Sequence, residues 1–243
     1  MAVLTFPGAD AVLAAQEAAL PQPDQLCGPF AARAALHAVL DPLEVPTMVR
    51  IAAASATAIW PHDIAAWRPA GAPLDRTGWD PLPVAPDPEA SGTDAAGLAR
   101  GVAQVTGGSL AVVPVSGAGA DADSLASLLV GIAGSEVPIG VVANVRTGAL
   151  DPEIDWDVGH FVVLWAVDVA GPDGARAAVA DTYREVGALG EPAGCRWVPL
   201  ERLAIAIDAA PGRGLLLMVR DDDVVTVTAL VTAAGLEPTI WST

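Results

Sequence analysis

Apolar residues in the first half of the chain recur mostly with the spacing of amphipathic helices. This pattern predicts helices over 10–20, 28–40, 46–59, 93–106 and 121–133, and one strand over 109–115. Prolines set several of the boundaries. Pro21 and Pro23 end the first helix and make the next segment extended, whereas Pro29 falls in the first turn of the second helix, where its missing N–H costs nothing.

The second half of the chain consists mainly of short apolar, β-branched runs separated by turn residues. These runs predict strands over 137–145, 160–169, 176–183 and 214–220, with a short helix over 199–207. Gly-Pro-Asp-Gly at 171–174 predicts a tight turn that joins two of the strands as an antiparallel hairpin. The run at 224–235 fits either a strand or a helix. Helices followed by strands favour an α+β fold over an alternating α/β one.

Residues 60–92 show neither the helical spacing of apolar residues nor the short apolar runs of strands. This stretch contains seven prolines and three tryptophans, a composition that favours an ordered surface loop over a disordered link. We therefore expect a single domain over residues 1–243, with a Pro/Trp-rich insertion at about 60–92.

Composition narrows the possible functions. The chain has 243 residues, is 53% hydrophobic and carries a formal net charge of −17, with arginine supplying all twelve of its basic residues. No basic run is present, so nucleic-acid binding is not expected. There is no long apolar segment or basic signal region, so we expect no membrane span and a cytoplasmic location. Two widely separated cysteines indicate free thiols rather than a disulfide framework.

One cysteine lies at the start of a predicted helix, where unpaired N–H groups lower the pKa of a thiol. A nucleophilic Cys27 needs a histidine base from elsewhere in the fold. His37 lies about 15 Å further along the same helix, and His62 falls in the irregular loop. His160 opens the most apolar predicted strand, where it can be held rigidly. The sequence therefore pairs Cys27 with His160.

An acidic residue on the neighbouring strand could orient the imidazole. In the predicted hairpin, the start of the first strand lies beside the end of the second, which makes Asp181 a neighbour of His160. Taken singly, Cys27 could be an inert core residue, His160 a surface residue and Asp181 a turn former. Their joint order and spacing favour a catalytic arrangement.

Three short blocks carry a resemblance to a known family. They are Cys-Gly-Pro at 27–29, Gly-His-Phe-Val-Val-Leu at 159–164 and Val-Ala-Asp-Thr-Tyr at 179–183. Together they resemble the papain-like cysteine peptidases, and are most similar to the stand-alone relatives of the bacteriocin-processing, double-glycine leader peptidases. The resemblance implies a papain-like fold, in which N-terminal helices, with the cysteine helix among them, pack on a C-terminal antiparallel sheet.

The resemblance also implies a mechanism. Cys27 would attack a peptide carbonyl, His160 would act as base and then acid, Asp181 would orient His160, and a thioester would form without a metal or cofactor. The Cys27 N–H and a glutamine amide would form the oxyanion hole. Gln22 is the favoured glutamine and Gln25 the alternative. Gln22 lies five residues before Cys27 rather than the family's usual six or so, and Thr182 stands where the family has proline.

These departures leave other functions open. A peptide or protein is the expected substrate, with a ribosomally made peptide as one possibility. A thioester could also be passed to an amine, which would make the chain an acyl or peptidyl transferase. A catalytically silent, peptide-binding member of the fold is the alternative from outside the enzymes. The oligomeric state is left open.

Other residues are candidates for substrate contact. Four carboxylates precede His160 and form either a solvated loop or an acidic rim that selects a cationic substrate; they are Asp151, Glu153, Asp155 and Asp157. The loop tryptophans Trp60, Trp67 and Trp79 either line a groove or pack the loop. Cys195 is interpreted as structural. The predicted substrate-contacting set is Gln25, Gly28, Gly159, Asp157, Trp60 and Trp67.

Overall fold

The computed structural model describes residues 3–171 and 174–241. Its helices are α1 (Ala9–Ala19), α2 (Cys27–Leu36), α3 (Met48–Ala54), α4 (Ala95–Val105), α5 (Ala122–Ala133), α6 (Thr147–Leu150), α7 (Leu200–Asp208) and α8 (Val224–Ala233). Short 3-10 turns occupy Ala65–Trp67, Arg184–Val186 and Asp221–Asp223. None of the helices in the described part of the chain is both long and apolar enough to cross a bilayer.

The strands form one sheet. They are β1 (Val3–Thr5), β2 (Leu110–Ser116), β3 (Gly140–Arg146), β4 (Gly159–Asp168), β5 (Arg176–Ala180), β6 (Cys195–Pro199) and β7 (Gly214–Arg220). The order across the sheet is β2-β7-β3-β4-β5-β6, and β1 pairs with the far end of β4. Every one of these pairings is antiparallel.

Helices cover both faces of the sheet. One core packs α1, α2 and α4 against the sheet, and the other packs α5, α7 and α8 against its opposite face. Because both faces are covered, the central strands β3, β4 and β7 are apolar almost throughout instead of alternating with polar residues. The helix that begins at Cys27 lies across β3 and β4.

The predicted α+β class and antiparallel sheet are confirmed, and β4 pairs with β5 as the hairpin prediction requires. Pro172 and Asp173, in the predicted tight turn, lie outside the described residues. The C-terminal run is helix α8. The sheet is not purely C-terminal, because β1 and β2 also join it. The sequence pattern predicts neither β1, which has three residues, nor β6.

The predicted helix 46–59 is too long. Helix α3 ends at Ala54, because Ala56 adopts a left-handed conformation with φ of 56° and turns the chain away. Ala58 and Ile59 then form single β-bridges with Gly92 and Val84. These bridges join the two ends of the Pro/Trp-rich segment and give this irregular stretch a fixed course.

Candidate active site

A cleft of about 800 Å³ lies at one end of the sheet. Its walls come from the start of α2, the Pro/Trp-rich segment, the facing ends of β3 and β4, and the turn before β7. Cys27 and His160 both line this cleft. The three-layer packing therefore brings together residues from distant parts of the chain.

Cys27 is the first residue of α2. Its backbone N–H has no acceptor in the described part of the chain, as is usual for the first turn of a helix. A Cβ on Gly28 would lie 3.3 Å from atoms of both Phe161 and Thr93. Gly28 thus allows α2 to pack closely on β4, and it lies beneath the cleft rather than in its lining.

His160 is the second residue of β4, and only 2% of its surface is exposed. Its Nε2 atom lies 3.1 Å from Asp181 Oδ1 and 3.1 Å from the Thr182 hydroxyl. Because Nε2 is occupied in this way, Nδ1 is the nitrogen left to face Cys27. The Thr182 residue that replaces the expected proline therefore contacts the imidazole directly.

Two aromatic side chains fix the His160 ring. Trp156 meets it edge-on, with ring centroids 4.9 Å apart, and the Tyr183 ring lies nearly parallel to it at 6.0 Å. Both aromatic residues are buried. They restrict the imidazole to one orientation and keep water away from its contact with Asp181.

Asp181 follows β5 directly and is completely buried. Its Oδ2 accepts a hydrogen bond from Arg196 Nη1 at 3.1 Å, and its Oδ1 accepts one from the Tyr183 N–H at 3.2 Å. Arg196 also donates to the Val186 carbonyl. The buried carboxylate is therefore held between two cationic groups, the Arg196 guanidinium and the His160 imidazole.

The charges in this group reinforce one another. Burial alone would raise the pKa of Cys27, but hydrogen bonding and charge attraction from His160, with the backbone N–H groups of Phe161 and Gly28, outweigh it and lower that pKa. Burial opposes the charged form of His160, yet the charge and hydrogen bond of Asp181 and the contact with Cys27 raise its pKa to about 9. These opposite shifts favour a thiolate–imidazolium pair at neutral pH.

Gln22 lines the cleft near Cys27 and is 4% exposed. Its Nε2 donates to the Tyr183 hydroxyl at 3.0 Å, and that hydroxyl donates to Asp24 Oδ1 at 3.0 Å. Since the Tyr183 proton is committed to Asp24, the tyrosine oxygen can only accept from Gln22. These two hydrogen bonds form a relay from Gln22 through Tyr183 to Asp24. The relay fixes which end of the Gln22 amide carries the nitrogen, and it leaves the second N–H of that nitrogen unused.

Gln25 has a different role in the fold. It adopts a left-handed conformation with φ of 65°, and both ends of its side-chain amide bind the backbone of Trp60, at 2.9 and 2.8 Å. Gln25 therefore fastens the Pro/Trp-rich segment to the start of α2. Both glutamines line the cleft and each keeps one side-chain N–H without a partner among the described residues, but the Gln25 amide is held at both ends and the Gln22 amide only at its nitrogen.

The Pro/Trp-rich segment forms part of the cleft wall. Trp67 and Trp79 line the cleft, whereas Trp60 lies outside its lining. Trp79 Nε1 donates to the Asp24 carbonyl at 2.9 Å, and Arg68 forms an ion pair with Asp24 at 3.2 Å. The segment is thus attached to the extended chain just before α2.

Of the four carboxylates before His160, two lie within ion-pair distance of an arginine and one lines the cleft. Asp157 lines the cleft, but Arg146 holds its carboxylate with two hydrogen bonds, one of them of 2.8 Å, and lowers its pKa. Asp151 lies 3.9 Å from Arg196. Asp151, Glu153 and Asp155 lie outside the cleft lining. Gly159, by contrast, lines the cleft directly beside His160.

Sequence reasoning missed several residues that shape the site. Arg196 is a charged residue in an otherwise apolar short run, which is the one signal that could have pointed to a buried partner. Thr182 and Tyr183 belong to the Val-Ala-Asp-Thr-Tyr block, but that block does not indicate what their side chains contact. The remaining residues have no distinctive sequence signal; they are Asp24, Asn144, Trp156 and Arg213. No group of three or more His, Cys, Asp or Glu side chains in the described ranges is arranged to hold a metal ion.

Cys195 differs from Cys27 in every respect that controls reactivity. It lies in β6, is 1% exposed, and burial raises the pKa of its thiol to about 12. A thiol with so high a pKa is almost entirely protonated at neutral pH and is a poor nucleophile. Cys195 therefore provides an internal reference for measurements on Cys27.

Comparison with known proteins identifies the family of the chain and nothing about its activity. No curated protein and no solved structure matches the chain. One family model matches residues 6–242, nearly the whole length, and its description is a family of unknown function. The chain therefore belongs to the family DUF6885.

Proposed function

We propose that the chain is a papain-like cysteine peptidase or amide hydrolase with Cys27 as its nucleophile. The observation that carries this proposal is the series of contacts from the partly exposed Cys27, at the wall of an open cleft, through the buried His160 to the buried Asp181. The resemblance of the three blocks around Cys27, His160 and Asp181 to the papain-like peptidases supports the same assignment. The substrate class proposed is a peptide, including ribosomally made peptides.

The geometry supports the following chemistry. The Cys27 thiolate attacks the carbonyl carbon, and the resulting oxyanion is stabilised by the Cys27 N–H and the spare N–H of Gln22. The tetrahedral adduct collapses to a thioester as the His160 imidazolium gives its Nδ1 proton to the departing amine. Water then attacks the thioester, His160 takes its proton, and the acid product leaves with the thiolate restored.

Acylation by a simple activated ester tests this proposal. p-Nitrophenyl acetate should give a burst of nitrophenolate equal to one equivalent of protein, followed by slower turnover, and intact-protein mass spectrometry should place the acetyl group on Cys27. A burst without turnover would identify a site that is acylated but whose thioester is not hydrolysed by water, which contradicts the hydrolase and favours transfer. Absence of acylation at Cys27 would favour the silent peptide-binding module.

The Gln22 relay gives a second expectation. Gln22→Ala should lower kcat for ester or peptide hydrolysis by about 100-fold, the usual effect of losing one oxyanion donor. Tyr183→Phe should lower kcat by a smaller factor, because Gln22 stays in place but loses the partner that orients it. Neither change removes a contact of the thiol, so the rate of Cys27 alkylation by iodoacetamide should stay within about twofold of wild type. Equal losses in alkylation and kcat would mean that the relay supports the nucleophile instead.

A further inference from the structure

Arg213 is an unusual cation in this cleft. It directly precedes β7, lines the cleft, and is only 8% exposed. Its Nη1 donates to Asn144 Oδ1 at 2.7 Å, while its Nε is buried with no hydrogen-bond partner. Within the described part of the chain, no carboxylate lies within ion-pair distance of it.

The other two arginines of the cleft lining are already paired. Arg68 binds Asp24 and Asp63, and Arg146 binds Asp157. Arg213 therefore differs from both in lacking a counter-charge. Burying a cation costs free energy that an opposite charge normally offsets, so an unpaired one at a cleft wall requires an explanation.

Sheet topology places Arg213 close to the reacting groups. Asn144 pairs with Gly214 in the sheet, and the next strand carries Gly159 and His160. A Cβ on Gly159 would lie 2.9 Å from Arg213 Nη1 and 3.1 Å from its Nη2. The guanidinium therefore lies against the bare backbone of Gly159, one residue from the imidazole, and a side chain at 159 would displace it.

The charge environment of Arg213 also favours an anion. Burial and the nearby Arg146 lower its pKa, whereas Asp157 and Cys27 act on it in the opposite direction. Asp157 is itself committed to Arg146, so next to Gly159 the guanidinium groups of Arg146 and Arg213 outnumber the one carboxylate. This positive corner is local, because the cleft lining as a whole carries five carboxylates and three arginines.

We propose that Arg213 binds a carboxylate of the substrate next to the carbonyl group that Cys27 attacks. The planar fork of a guanidinium matches a carboxylate, and the proposed ligand would supply the missing counter-charge. The inference rests on the proposed function, since it assigns a substrate class to the same cleft. It is opposite to the cationic substrate that an acidic rim before His160 would select, which is one of the two alternatives for those carboxylates.

Two alkylating reagents of nearly equal size test the assignment. Iodoacetate carries a carboxylate and iodoacetamide is neutral, and both label Cys27. We would measure both rates by mass spectrometry, using wild type, Arg213→Gln, Arg213→Lys and the control Arg100→Gln, which removes an exposed arginine outside the cleft. Circular dichroism and thermal unfolding would establish that each variant is folded.

The ratio of the iodoacetate rate to the iodoacetamide rate is the informative quantity. Arg213→Gln should lower it about tenfold, the order expected for one unit charge a few ångströms away at a partly solvated site. Arg213→Lys should give a ratio between those of wild type and Arg213→Gln. Arg100→Gln should leave the ratio within about twofold of wild type. Fast labelling by both reagents with an unchanged ratio in Arg213→Gln would overturn the carboxylate site alone. Slow labelling by both in wild type would overturn the proposed function as well.

If Arg213→Gln does not fold, protection of wild type gives the answer and also identifies the source of the carboxylate. N-acetylglutamic acid α-amide has only a side-chain carboxylate, and its isomer N-acetylglutamine has only a terminal one. N-acetylglutamine amide has neither and is the control. Stronger protection of Cys27 from iodoacetamide by one of the acids supports the site and names its source, whereas no advantage of either acid over the control overturns it.

Discussion

Replacing Cys27 by alanine should lower amide or ester hydrolysis at least ~1,000-fold, because the covalent route is lost and only binding and the oxyanion donors are left. The side chain lies at the cleft wall, so the unfolding free energy should change little. Activity would be measured as new amino termini in a mixed peptide library and as nitrophenolate release from p-nitrophenyl acetate.

Cys195→Ala is the matched control for this substitution. It also removes the thiol of a cysteine, but from a buried position in β6 outside the cleft lining. We expect it to lower the unfolding free energy while leaving the rate per folded molecule close to wild type. Hydrolysis that survives in Cys27→Ala and disappears in Cys195→Ala would identify Cys195 as the nucleophile and contradict the assignment of Cys27.

The second large effect is expected from Asp181. Asp181→Leu would leave the Arg196 and His160 cations buried without their shared counter-charge, which should cost about 3–5 kcal/mol of unfolding free energy. Asp181→Asn keeps the shape but removes the charge that raises the pKa of His160. The thiolate–imidazolium pair would then be less favoured, and alkylation of Cys27 at pH 6 should be slower than in wild type.

Asp168→Asn provides the matched control. Asp168 is also a fully buried carboxylate paired with an arginine, Arg176, but it lies at the opposite end of β4 from His160. Its replacement should lower the unfolding free energy and leave Cys27 alkylation unchanged. If both asparagine variants slow alkylation equally, Asp181 would matter only through general stability.

The contribution of the His160–Asp181 pair to the unfolding free energy should depend on pH in a defined way. Folding lowers the pKa of Asp181, so its contribution is present above the pKa of an unfolded aspartate and is lost on acidification through its folded pKa. Folding raises the pKa of His160 to about 9, so its contribution is complete below the unfolded histidine pKa and is lost as pH rises through about 9.

Much of this site follows from local patterns in the sequence. The helix start at Cys27 was marked by Pro29, and the β4–β5 hairpin alone was sufficient to place Asp181 beside His160. These predictions succeeded because each depends on neighbouring elements. The α+β class followed in the same way, from helical periodicity in the first half and β-branched runs in the second.

The remaining features depend on long-range packing that no local pattern records. Arg213 reaches the cleft because β7 inserts between β2 and β3, out of sequence order. Arg196 reaches Asp181 from β6, a strand whose five residues are interrupted by this arginine and end in a proline, so they do not form an apolar run that predicts a strand. Spacing does not separate Gln22 from Gln25, and no local pattern records the left-handed backbone at Gln25 that directs its amide to Trp60.

The most direct measurement of the central claim is the rate at which iodoacetamide alkylates Cys27 at pH 6, in the folded chain and in the same chain unfolded by denaturant. A thiolate held by His160 should react at least about tenfold faster in the folded chain, because an unperturbed thiol with a pKa near 8.5 is almost fully protonated at that pH. Cys195 should remain unlabelled while the chain is folded. A folded-state rate at Cys27 no greater than the unfolded-state rate would contradict an activated nucleophile at this site.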